Sequence, residues 1–168
     1  MVVAPLDTAA VDAFHWRSTS AGARNDAAEV MLCGAAEVRI PGAFREILHA
    51  FAVASQPFEC CGIGIGPAGE VREFHPVPNV HGTPKTRYEI ASTDQLRVFR
   101  RADDLGWDIT LVFHSHPATQ AFPSSTDVDL AGWPDAVYLI QGFPNDTPSL
   151  RAFHITNRQI AEVSISRA

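Results

Sequence analysis

The chain has 168 residues, with 13 Lys and Arg against 19 Asp and Glu, giving a formal charge of -6 and a pI near 5.6. That length suits one domain with a real core, and an acidic balance without any basic run excludes a nucleic-acid partner held by phosphate contacts. The sequence shows no apolar run of the roughly 18 residues a membrane span needs and no charged-then-apolar leader with a cleavage site, so a cytoplasmic protein without a membrane anchor is expected.

Residues 1–28 are rich in Ala, Ser, Thr and Asp without a sustained period, and Ser18-Thr19-Ser20-Ala21-Gly22-Ala23 reads as linker. Residues 1–36 are therefore taken as an N-terminal extension, partly disordered, preceding a domain over 37–168. Val30-Met31-Leu32-Cys33 and Glu37-Val38-Arg39-Ile40 are candidate strands. Pro41-Gly42 opens a helix in which Phe44, Ile47, Leu48, Phe51 and Ala54 recur at three- and four-residue steps, ending before Pro57. Residues 58–66 follow as a β-like run, and Pro67-Ala68-Gly69-Glu70 turns the chain into residues 71–74.

Residues 75–86, with His75, His81 and three prolines, are too broken for a regular element, whereas residues 86–90 look extended and offer a candidate sheet edge. Ser92 with Gln95 forms a capping-box pattern. Leu96, Phe99 and Leu105 then supply an apolar face, Arg97, Arg100 and Arg101 a solvated one, and Gly106 the stop. Residues 109–113 make a buried strand, and Ser124 to Asp127 are cap-type residues that place Asp127 in the first turn of a short helix. Residues 136–140, 150–156 and 160–166 are further strands, the last two joined at Asn157-Arg158, and His154 is read as structural. Cys33, Cys60 and Cys61 lack zinc-ribbon spacing and fit reduced, buried thiols. Together these elements predict an α/β (α+β) domain with a single mixed β-sheet flanked by helices.

The chemistry converges on His114-Ser115-His116-Pro117. In an extended segment His114 and His116 share one face and Ser115 takes the other. Asp127 follows eleven residues after His116. Two nitrogens and one oxygen form the ligand set of a catalytic zinc site whose fourth position is left to water. This stretch resembles the signature of the JAMM metalloproteases, or MPN+ domains: a distant Glu, His-x-His-Pro, seven residues from the second His, then Ser-x-x-Asp.

The resemblance covers residue 37 to the end. It implies a cytidine-deaminase-like fold, with helices on both sides of a curved sheet, and one zinc ion on His114, His116 and Asp127. Glu59, in Phe58-Glu59-Cys60-Cys61-Gly62, looks like the family's Glu-x-Cys-Gly stretch and is the expected general base. Ser124 matches the position of the oxyanion donor, while Asp129 has the wrong spacing for a ligand. Residues 114–128 look most like the bacterial sulfur-carrier branch. That branch implies cleavage after the Gly-Gly tail of a ubiquitin-like, β-grasp carrier of the ThiS or MoaD type, releasing cysteine or a short extension. Two other readings are a non-catalytic MPN scaffold and a small-molecule zinc amidohydrolase or deaminase. The retained Glu, ligands and Ser count against the first, and the missing Pro-Cys-x-x-Cys pair against the second.

Overall fold

The structure, a computed structural model, describes residues 4–17, 30–33 and 37–167, with only the backbone described at 30–33 and 167. The expected linker at 18–23 and the Cys33 side chain lie outside the described residues. Four α-helices are present among them: α1 Thr8–Val11, α2 Gly42–Ser55, α3 Ser92–Leu105 and α4 Ser125–Leu130. The strands are β1 Trp16–Arg17, β2 Val30–Cys33, β3 Glu37–Ile40, β4 Cys61–Gly66, β5 Glu70–Val71, β6 Glu73–Val77, β7 Asp108–His116, β8 Val137–Gly142, β9 Ser149–Thr156 and β10 Gln159–Arg167.

All ten strands join one mixed sheet in the order β1-β6-β4-β7-β8-β9-β10-β3-β2-β5. β7 with β8 and β10 with β3 are parallel, and the other pairs are antiparallel. The β9–β10 hairpin turns on Asn157 and Arg158, both with positive φ (52° and 63°), as a two-residue primed turn requires. The sheet curls, so that the amide of Arg72, just past β5, donates to the Ile65 carbonyl of β4 at 2.8 Å.

Alternation along β7 decides which helix each residue meets. Leu111 and Phe113 share a core with Phe44, Leu48 and Phe51 of α2, whereas Val112 packs with Tyr138, Ile140 and Phe153 on the other face. That second face is covered by α3, through Val98 and Ala102 against Ile63 and Ile65, and by the α4 region. The expected three-layer arrangement results. Each fully buried Phe or Leu of α2 contributes roughly 1.5–3 kcal/mol by leaving water.

Three local expectations change. α3 begins at Ser92 with Ala91 as its N-cap and no side-chain cap bond, so Ser92 lies one residue inside and no capping box forms. Its buried stripe is Val98 and Ala102, whereas Leu96 is 47% exposed and Phe99 meets Trp133 edge-on. Gly106 closes the helix in the left-handed region (φ 64°), as expected. His75 is no loop residue, because β6 continues to Val77 and buries it. Residues 86–90 form no strand; their one ladder contact is an isolated bridge between Asn79 and Ile90.

Residues 4–17, which showed no period, fold against the sheet. Trp16 pairs with Phe74 in β6 and packs on Phe44 at 4.7 Å, and Phe14 stacks on Phe51 at 5.0 Å. Trp16→Ala is expected to cost about 3 kcal/mol through the cavity it leaves, measurable as a lower denaturant midpoint at unchanged slope.

Candidate active site

β7 delivers His114 and His116 at its carboxyl end, beside the parallel strand β8. Both rings are buried on the same face, with their Nε2 atoms 3.0 Å apart. α4 supplies the third group. Ser124 is its N-cap and accepts the Asp127 amide at 3.2 Å, while Asp127 Oδ2 accepts the Ser124 amide at 2.6 Å. The capping box thereby holds Asp127 Oδ2 at 3.5 Å from each histidine Nε2.

These separations fit a metal. A tetrahedral ion with bonds of about 2.0–2.1 Å has ligand–ligand edges of about 3.3 Å, and the three edges here are 3.0, 3.5 and 3.5 Å. His116 Nδ1 lies 3.1 Å from the Gln120 carbonyl, to which it donates, so its Nε2 presents a lone pair to the cluster. His114 Nδ1 is buried without a hydrogen-bond partner. Burial alone would raise the Asp127 pKa, but the imidazoles of His114 and His116 and the Ser124 side chain beside it hold the carboxyl well below the usual carboxylate range. An ionised oxygen and two imidazole nitrogens converging in a buried corner are a donor set for a divalent cation.

The strand register brings in Glu59. β4 and β7 pair Cys61 with His114, and the Ser115 amide donates to the Cys60 carbonyl at 3.0 Å. Continuing that antiparallel register sets Glu59 opposite His116, with both side chains on the face of the His114–His116–Asp127 cluster. Cys60 and Ser115 face the other way, where the Cys60 amide donates to Ser115 Oγ at 3.0 Å. The Glu59 backbone is clamped by its N–H to the Pro84 carbonyl at 2.7 Å and by Asn79 Nδ2 on its carbonyl at 2.9 Å. Glu59 is 6% exposed. Burial pushes its carboxyl up to about 7, opposed by the charge of His116 and assisted by that of Asp127.

Ser124 is exposed at the mouth of the site. Its oxygen accepts the Asp127 amide, which leaves the hydroxyl proton available to a neighbouring acceptor. Asp129 pairs with Arg158 and takes no part in the cluster. A cleft of about 160 Å³ opens beside Asp127 and Ser124 and is walled by Tyr88, Ile90, Leu130 and Trp133.

Two contributors escaped the sequence. Tyr88 stacks on His114 with ring centroids 4.6 Å apart, and the only signal for it was one aromatic in a segment read as an extended sheet edge. Gln120 acts through its backbone carbonyl, which leaves no side-chain signature. The loop carrying Gln120 lies tightly on β8, because a Cβ at Gly142 would stand 2.2 Å from the Ala121 nitrogen and 2.6 Å from the Gln120 carbonyl carbon. Gly142→Ala is therefore expected to push this loop away, release His116 and weaken metal retention by about 10–100-fold, read by competition with a chromogenic chelator.

Comparison with known proteins follows this geometry. The family described as prokaryotic homologs of the JAB domain matches residues 42–156. A protein named CysO-cysteine peptidase from Mycobacterium tuberculosis is 38% identical over 120 residues, covering 70% of this chain and 82% of its own. A Haloferax volcanii protein named desampylase is 36% identical over 91 residues, covering 53% and 66%. The solution structure of protein DSY2949 from Desulfitobacterium hafniense superposes with a TM-score of 0.66 at 29% identity, covering 77% of this chain and 92% of that one. A match across more than half of the chain, on the elements that carry the histidines, Asp127 and Glu59's strand, makes this chain a member of the prokaryotic JAB family, the JAMM/MPN+ group that its motif resembles.

Proposed function

We propose that the chain is a zinc-dependent peptidase that cuts after the C-terminal Gly-Gly of a ubiquitin-like sulfur carrier, freeing cysteine or a short extension. The observation that carries this is the buried His114–His116–Asp127 cluster with Glu59, two residues before β4, set opposite His116 by the continued β4–β7 register. The names of the Mycobacterium and Haloferax relatives support a peptidase, the first acting on a CysO-cysteine conjugate. Zinc suits an imidazole–imidazole–carboxylate set with one open position.

When bound, zinc lowers the pKa of a coordinated water to about 7 and draws charge from a carbonyl oxygen. Glu59 takes the proton from the attacking water as the new C–O bond forms and returns it to the departing nitrogen as the C–N bond breaks. Ser124 donates a hydrogen bond from its hydroxyl to the developing oxyanion and keeps its proton. Tyr88 keeps the His114 ring in plane by stacking. The cleft walled by Tyr88, Ile90, Leu130 and Trp133 admits the carrier's tail, and its small volume, about 160 Å³, favours residues without a Cβ at the scissile bond. Changing the carrier's penultimate Gly to Ala is accordingly expected to lower kcat/KM by at least about tenfold, roughly 1.4 kcal/mol of transition-state binding.

The deciding experiment incubates the protein with Gly-Gly carriers bearing a C-terminal cysteine or a short extension and follows intact mass. Loss of the cysteine or extension mass is expected. Unchanged carriers, or equal cleavage of unrelated peptides, would sink the carrier reading. A non-catalytic scaffold gives no turnover at all. A deaminase-type site would need two cysteine ligands, and Cys60 lies on the opposite face against Ser115.

A further inference from the structure

A second cavity, of about 510 Å³, shares no lining residue with the catalytic cleft. It lies in the seam between the N-terminal segment and α3, and every residue lining it is ionisable: Asp12, His15, Arg17, His75, Arg97 and Arg101. Half of that wall precedes residue 42, where the family match begins.

Glu73 stands behind the wall with a buried carboxylate. It accepts Arg101 Nε at 3.0 Å and Nη2 at 2.7 Å, has Arg17 Nε at 3.6 Å, and takes His75 Nε2 at 3.1 Å. The hydrogen bond from Arg101 holds its pKa down, against burial. Burial pushes the His75 pKa down to about 4, with the charge of His15 adding to the effect, so the ring is neutral. With its Nε2 proton given to Glu73, His75 Nδ1 is left to accept from His15 Nε2 at 2.9 Å. The scaffold beneath the cavity is therefore internally satisfied.

The arginines are not exhausted by it. Among the described residues, Arg101 uses Nε and Nη2 on Glu73, Arg17 approaches Glu73 through Nε, and Arg97 Nη2 contacts Asp94, which lies outside the lining, at 3.4 Å. Three guanidinium groups face the carboxylates of Asp12, Glu73 and Asp94, and each keeps N–H donors beyond those directed at them. The Arg17 and Arg97 side chains are 64% and 46% exposed, so both forks remain open to a solute. A carboxylate needs only one such fork, whereas a tetrahedral oxyanion can accept from several guanidinium groups at once.

We propose that this seam is a phosphate-binding site, taking inorganic phosphate or the phosphate of a small monoester between Arg17 of the N-terminal segment and Arg97 and Arg101 of α3. The site is independent of the peptidase reading. A bound dianion ties residues 12–17 to the core by charge as well as by packing.

The test is an amide-resolved NMR titration of the full-length protein with inorganic phosphate, glycerol phosphate and acetate in parallel. Saturable shifts at residues 12–17, 73–75 and 97–101 are expected with both phosphates at a Kd below about 10 mM. Whichever phosphate binds more tightly identifies the source, free ion or ester. Arg97→Gln and the Arg17→Ala/Arg97→Ala double variant, each checked for an unchanged spectrum elsewhere, should weaken binding, the double variant by about tenfold or more. No saturable response there, an equal response to acetate, shifts confined to residues 114–127, or unchanged affinity in the variants would each overturn the proposal.

Discussion

Glu59→Gln is expected to keep its metal and its fold yet lose hydrolysis by about 10²–10⁴-fold, the usual range for removing a positioned base. The amide is nearly isosteric, so the backbone clamps from Pro84 and Asn79 survive, but it cannot accept a proton. The comparison is made on kcat at saturating carrier with metal content measured on the same sample. Near wild-type turnover would remove Glu59 from the reaction. The wild-type acid limb provides a second readout. Burial sets the Glu59 carboxyl at about 7, and a bound dication draws it lower, so kcat/KM should rise with pH through a limb at or below about 7. That limb should be absent from the residual activity of Glu59→Gln. Ser124→Ala should lose less, because the metal still faces the oxyanion.

Removing a ligand should have the larger effect. His116→Ala and Asp127→Ala are each expected to abolish both metal binding and turnover, since two remaining protein donors cannot hold a tetrahedral ion against buffer. Asp127→Ala also removes the bond its carboxylate accepts from the Ser124 amide, while the bond from the residue 127 amide to Ser124 Oγ survives, so the start of α4 should be weakened by about 1 kcal/mol, one hydrogen bond. His116→Ala leaves the cap intact and separates the two causes. Elemental analysis after dialysis is the measurement, and full occupancy in either variant would show that the ion is held by other residues.

The cluster was legible because its logic is local. Period two along a strand puts His114 and His116 on one side, and a Ser-to-Asp capping pattern fixes the first turn of α4. Glu59 was harder. Nothing within residues 56–62 says which strand they pair with, so its position depended on the family resemblance, whereas in the fold it follows from the β4–β7 register. Tyr88 and Gln120 were beyond reach, one because its segment was read as an extended edge and forms no strand, the other because it acts through its carbonyl.

α3 was misread because its apolar residues lie on two sides, and small Ala102, not large Leu96, carries the burial. Pro76 and Pro78, which follow His75, hid β6. Pro76 is tolerated there because β1 pairs only with Glu73 and Phe74, so the missing N–H on that side is not required. The N-terminal segment has too few residues to show a period, and what seats it are single aromatic contacts.

The parallel pairing of β3 with β10 joins residues 37–40 to residues 164–167, and this has a consequence for synthesis on the ribosome. While the chain is being made, β3 can pair with β2, but its other edge has no neighbour until the last strand leaves the exit tunnel. Contacts between such distant segments form slowly, and an unpaired edge invites pairing with another chain. The catalytic strands β4, β7 and β8 are all made earlier and can pair among themselves. Nascent molecules therefore pass through a stage with His114, His116 and Asp127 already made and one side of the sheet still open, and it is there that holding chaperones would find something to bind.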